Sequence, residues 1–209
     1  MPRTATAVKE PKSPKTRTVK QPDERKQELL DTAMRLFVEK GFDATSMRDI
    51  ARAADVTPGL AYHYFDSKQK LFAEVLDSYA RQCASDGIRI LDDPALTFEQ
   101  KIDALLEVIA SEERLPYHEF FHKQGNRGFH DQLSVSLCDL LVPHLAAALT
   151  AEGRRRGASV RAPQTLADFM AHGLVNLMSD PDAPDADVLR RIREYIAALV
   201  NSQLEEGSA

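Results

Sequence analysis

Cysteine is scarce. Cys83 and Cys138 are the two in the chain, far apart and both within helical patterns. A disulfide framework is therefore not expected, and two buried thiols are. Long apolar runs are also missing: no stretch reaches the roughly 20 residues that cross a bilayer, so no membrane partner is expected. The first twenty residues are polar, basic and proline-containing, with no apolar core of a secretory leader, and the expected compartment is the cytoplasm. No internal repeat stands out and no strand-like alternation persists. A glycine-rich phosphate loop is absent, and Ser134 and Ser136 sit in a helical pattern without a nucleophile elbow. No enzyme, resident metal or cofactor is expected.

What remains is helical. The 209 residues are enough for one larger domain or two small ones, and at 43% apolar they can build a core. Charge is uneven: residues 1–20 hold six Lys/Arg against one Glu, although the whole chain is at −5. Residues 1–22 thus read as a basic, disordered arm that can order on phosphates. Beyond Pro22, apolar residues recur at three- and four-residue spacing almost everywhere. The expected fold class is all-α.

The stretch from Val56 to Phe72, "VTPGLAYHYFDSKQKLF", sets a Pro-Gly pair before three aromatics. Its neighbours explain it. A first helix carries Leu29, Leu30, Ala33, Leu36 and Phe37 on one face and stops at Gly41. Ser46 with Asp49 reads as a capping box for a short second helix bearing Met47, Ile50, Ala51 and Ala54. Asp55 tolerates a left-handed turn. Thr57 is a good N-cap, and Pro58 falls at the first helical position, where its missing N–H costs nothing. Two short helices joined by a tight turn predict a helix-turn-helix. Gly59 lets the backbone approach DNA closely, and Tyr62 and His63 can reach phosphates or base edges. Ser67 starts a fourth helix, so Lys68 sits near an anion-attracting N-terminus. Tyr64 and Phe65 are expected to pack the small core.

The run from Arg25 to Phe72, with "ELLDTAMRLFVEKGFDATSMRDIARAADV" followed by "TPGLAYHYFDSKQKLF", resembles the DNA-binding domain of the TetR (tetracycline-repressor-like) family. The resemblance covers about a quarter of the chain. It departs at Asp55, where glycine is commonest, and at Leu60 and Ala61, which replace a common Thr-Leu pair. By resemblance, Thr45 and Ser46 would contact phosphate, Arg48 would reach a base edge or backbone, and Thr57, Pro58, Gly59 and His63 would face the groove. Tyr62 and Lys68 would clamp phosphate. The implied organisation is a helix-turn-helix domain over 23–68 and a helical effector-binding and dimerisation domain over 69–209. The implied partners are double-stranded operator DNA and a second copy of the chain.

The C-terminal part shows no motif of that quality. Thr97 with Gln100 is a capping box, Pro116 is expected to open a short helix, and Gly125 to Gly128 to close it. Phe129 to Leu149 reads as a long helix with Pro143 as a kink. "GRRRG", residues 153–157, reads as a basic exposed loop, Pro163 starts a helix through Met178, and "SDPDAPDAD" reads as an acidic linker before a last helix over about 187–204. Tyr79, Cys83, Leu105, Ile109, Phe120, Phe121 and Met170 are expected to converge on an apolar effector cavity. His122, Asn126 and Asn176 would supply its polar contacts, for an apolar or aromatic effector. Phe169, Gly173, Leu174, Leu177, Ile192, Ile196 and Leu199 are expected to form the dimer interface.

One stretch argues for another class. His118 to His122, "HEFFH", matches the zinc-protease pattern with two histidines on one helical face. Gly125 fits the extended pattern, but Gly128 stands where its third histidine belongs, and His130 comes two residues late. Proteolysis is not expected. Three readings stay open here: an effector-released repressor, a constitutive DNA-binding protein without effector, and a metal-responsive regulator using His118 and His122.

Overall fold

Residues 21–111, 117–177 and 184–206 are described by the structure, a computed structural model. Residues 1–20 of the basic arm, Pro116 and most of the acidic linker lie outside them. The helix α1, Pro22–Lys40, takes in one residue assigned to the arm. Gln21 and Glu24 cap it reciprocally, and Asp23 and Glu24 suit the positive end of its dipole. It ends at Gly41, whose φ of 92° a side chain would disfavour. The helices α2, Met47–Ala53, and α3, Pro58–Tyr64, have seven residues each, too short to persist alone. Caps and packing hold them. Ser46 and Asp49 make the expected box, the Thr57 hydroxyl accepts from the Leu60 N–H, and Asp55 makes the turn between them at φ 52°. Phe65, closing α3, is buried in the same core as Phe37, Ile50, Ala61 and Leu71. Phe65 thus packs the core as expected, while Tyr64 is half-buried against it.

Ser67 caps α4, Lys68–Asp92, which runs out of this three-helix unit into a second set of helices. These are α5, Phe98–Ala110, opened by the Thr97–Gln100 box; α6, His118–His122; α7, Arg127–Arg155; α8, Pro163–Leu177; and α9, Ala186–Ser202. A 3-10 turn, Gln124–Asn126, leads into α7.

The longest of these helices departs from expectation at both ends. Gly128 does not close the preceding segment but lies in the first turn of α7. At the other end, Gly153, Arg154 and Arg155 continue the helix and are no loop. Glu152 is buried there, and the guanidinium groups of Arg155 and Arg156 both donate to it, which anchors the last turn. A close strand favours glycine at position 153. A Cβ on Gly153 would lie 3.1 Å from the Val160 nitrogen and 3.2 Å from the Ala158 oxygen. Those residues belong to β1, Ala158–Val160, which pairs antiparallel with β2, Leu204–Glu206. The sequence pattern did not show this ribbon, and three residues per strand carry too little alternation to reveal it.

Stretch 124–155 is also long and apolar enough to cross a membrane, with a mean hydropathy of 1.6 over its best window, contrary to the reading of the sequence. Its apolarity has a structural account: α7 packs against α4 on one side and α8 on the other. Leu137, Val142, Leu145 and Leu149 are buried between them, so α7 is the central helix of the C-terminal core. Pro143 lies inside it.

Candidate functional site

The exposed side of α3 gathers what the sequence assigned to it. Thr57, Pro58, Gly59, Tyr62 and His63 are all exposed, and Gly59 has open space where a side chain would begin. Tyr62, half exposed at 49%, is a large aromatic left on a surface that no described residue covers. Arg48, on α2, is exposed as well and forms no ion pair among the described residues. Ser46 is exposed, but its hydroxyl and N–H are committed to Asp49. These hydrogen bonds, with Arg52 nearby, hold the Asp49 carboxyl below its ordinary value.

Two expected phosphate contacts look different in the structure. Thr45 is 1% exposed; its hydroxyl donates to the Gly41 oxygen at 2.8 Å and approaches the Leu36 oxygen at 3.3 Å. Its N–H donates to Phe42. Thr45 therefore ties the end of α1 to the start of α2 and has nothing to offer a phosphate. Lys68 donates to the Phe42 carbonyl at 2.8 Å, with its ammonium 4.2 Å above the Phe42 ring. An ammonium has three donors, so this contact fixes the charge at the start of α4 and leaves N–H groups free.

Several residues expected around the effector cavity pack on one another. Tyr79 stacks on Phe121 at 5.0 Å, Phe120 and Met170 are buried, and Cys83, Leu105 and Ile109 pack against the same core. Burial pushes the thiols of Cys83 and Cys138 up to about 11, so both stay protonated near neutrality. Asn126 spends its amide on the Phe120 carbonyl. Of the predicted effector residues, Phe121, His122 and Asn176 border a cleft of about 480 Å³ between α6, α7 and α8. Its floor is apolar, with Cys138 and Val175 beside Phe121. Its rim is polar, and reading the sequence missed Lys123, Arg127, His130, Asp131 and His172 there. The signal was available only in part: Arg127, His130 and Asp131 share one helix face, but nothing local says what that face meets.

The histidines of "HEFFH" stack on each other, ring centroids 3.8 Å apart. The His122 Nδ1 lies 2.9 Å from the His118 carbonyl, which can only accept, so Nδ1 carries the proton and donates. Its Nε2 is buried without a partner. The His130 ring centroid lies 5.0 Å from that of His122, and burial, with His122 adding to it, holds the His130 pKa below the usual value. Among the described residues no group of three or more His, Cys, Asp or Glu is placed to hold a metal ion.

The expected dimer residues divide. Phe169 is 72% exposed, and Gly173, one turn along α8, faces open space. Ile196 is buried with Val200 inside the protomer, against α5. Leu174, Ile192 and Leu199 pack in part on the same core, and Leu177 is half-buried. Tyr195, next to Ile196 but turned outward, is 69% exposed.

With the geometry in place, the chain can be set beside known proteins. The family described as bacterial regulatory proteins, tetR family, matches residues 29–75, from mid-α1 through α3 into α4. Residues 29–75 thus carry a TetR-family DNA-binding domain. The HTH-type transcriptional repressor KstR2 of Rhodococcus jostii (strain RHA1) is 49% identical over 55 residues, which is 26% of this chain and 27% of that protein. The stretch shared with that relative thus spans about a quarter of its length. The HTH-type transcriptional regulator AcrR of Shigella flexneri is 27% identical over 90% of this chain and 93% of its own. A crystal structure of a TetR-family regulator from Mesorhizobium loti MAFF303099 superposes with a TM-score of 0.62 at 19% identity, over 86% of this chain and 96% of its own. At that identity the likeness speaks to the TetR fold: an N-terminal helix-turn-helix and a helical C-terminal domain.

Proposed function

We propose that this TetR-family chain is a one-component transcriptional repressor. As a homodimer in the cytoplasm it reads a near-palindromic operator with α3, and a small effector in the cleft between α6, α7 and α8 releases it. The observation that carries the reading is the exposed face of Arg48, Thr57, Gly59, Tyr62 and His63, mounted on a unit whose own core is closed by Phe65. A side that the protein leaves open, with a cation and aromatic donors but little apolar surface, fits a DNA groove.

Lys68, held at the start of α4, supplies a phosphate contact from the flank. The test is binding selection on random duplexes with the full chain, which should enrich one near-palindromic motif whose affinity falls with salt. Arg48→Ala should relax preference at one base-pair position by about 1–3 kcal/mol, while Lys68→Ala should weaken all sequences alike. Folded protein that enriches no motif would end this reading. The cleft favours an effector-responsive regulator over a constitutive binder, because a domain that only dimerises has no need of an open apolar floor beside a polar rim.

A further inference from the structure

We infer that the cleft takes a small amphipathic carboxylate, an acid with an apolar body; the inference rests on the effector reading above and specifies its chemistry. The argument begins with charge pairing. In the C-terminal domain, Arg81, Arg89, Arg155, Arg156, Arg161, Arg190, Arg191 and Arg193 each lie against a carboxylate. Among the described residues Arg127 does not, although it stands on the cleft rim. Arg154 also lacks such a partner among the described residues, but it lies at the far end of α7, away from the cleft. Lys123, a turn before Arg127 and on the same rim, likewise has no carboxylate partner among the described residues. Against these two cations the lining holds one acid, Asp131, whose nearest cationic candidate is His130 at 3.7 Å. Burial disfavours the charged form of that histidine, so the rim has an excess of one fixed positive charge.

Below the rim the floor is apolar. Phe121, Cys138 and Val175 are nearly closed to solvent, and Val135 is 55% exposed at the edge. An apolar patch beside an unpaired guanidinium matches a molecule with an apolar body and one carboxylate. The guanidinium fork meets a carboxylate with two parallel hydrogen bonds, and Lys123 adds a second charge. The same cations disfavour an ammonium ligand, and a neutral alcohol gains only the floor. The buried His122 Nε2 has no contact with solvent and serves as wall. A cleft of about 480 Å³ is in the range of small-ligand sites, enough for a phenyl ring and a short chain.

The experiment is calorimetric titration of the full chain with three matched probes, phenylbutyrate, phenylbutanol and phenylbutylamine, on the wild type, Arg127→Gln and Lys123→Gln. The acid should bind at least about tenfold tighter than either analogue, about 1.4 kcal/mol. Arg127→Gln should abolish that preference, and Lys123→Gln should reduce it. Both residues are exposed, so the thermal midpoint without ligand should not move, which separates loss of contact from loss of fold. Equal or tighter binding of the alcohol or the amine, or an acid preference that survives Arg127→Gln, overturns the assignment while leaving the cleft as an effector site. Absence of binding by all three at millimolar concentration overturns both.

Discussion

At the scale of single residues, side chains act through what they are bonded to, and Thr45 shows how far that can differ from sequence position. It precedes Ser46 at the start of α2, a place from which a hydroxyl could meet phosphate, yet it is sealed between α1 and α2. Thr45→Val should therefore lower stability by about 1–3 kcal/mol, the cost of leaving the Gly41 and Leu36 carbonyls without their donor. Operator affinity of the folded protein should stay as it was, and Thr45→Ser should recover most of the stability. Denaturant titration beside operator binding checks this; a loss of affinity at unchanged stability would return Thr45 to the interface. The caps at Ser46, Thr57, Ser67 and Thr97 and the turn at Asp55 were legible in the sequence because each is settled within three residues of itself. Whether a hydroxyl faces in or out is decided by distant helices, so Thr45 was not.

At the scale of elements, α7 joins the two halves of the molecule. Phe129, in its first turn, lies 4.5 Å from Phe72 and 5.5 Å from Phe42, ring to ring, and 6.2 Å from Phe120 in near-parallel stacking. Phe42 in turn carries the Lys68 ammonium on its face. The same turn presents Arg127 and His130 to the cleft. A ligand that shifts this turn would move a ring wedged into the reader, and through Phe42 the lysine at the start of α4. Phe129→Leu should keep operator affinity within about threefold while losing most of the effector's release, a coupling of about 1–3 kcal/mol. The measurement is operator affinity with and without saturating effector; a variant that releases like the wild type would show that the wedge carries no signal. Helix spacing placed this element, but its start was missed. Gly125 and Gly128 read as a stop, and what supports the helix around Gly128 is the packing of Phe129 on Phe42, Phe72 and Phe120, not its own propensity. The filled aromatic cluster and the cleft beside it were indistinguishable in sequence for the same reason: apolar spacing names the residues that turn inward, not whether they meet each other or a void.

At the scale of the whole molecule, one half-site reader is a weak ligand for DNA, and two held about one helical turn apart are a strong one. The protomer leaves large aromatics open on α8 and on α9. Phe169 and Gly173 lie one turn apart on α8, and Tyr195 on α9 is as exposed as Phe169. Large aromatics left this open are characteristic of a surface that a partner covers. The small Gly173 lets a facing helix come close. Ile196, expected in the same interface, instead closes the protomer's own core against α5, and the two positions should part company under mutation. Phe169→Glu should give a folded monomer with an unchanged helical signal and a much weakened grip on the full operator, since only one half-site can then be held. Ile196→Glu should unfold the domain, because it buries a carboxylate without a partner. Light scattering at micromolar concentration, with circular dichroism on the same samples, distinguishes the two. A Phe169→Glu protein that remains dimeric and binds the operator as tightly as the wild type would place the interface elsewhere.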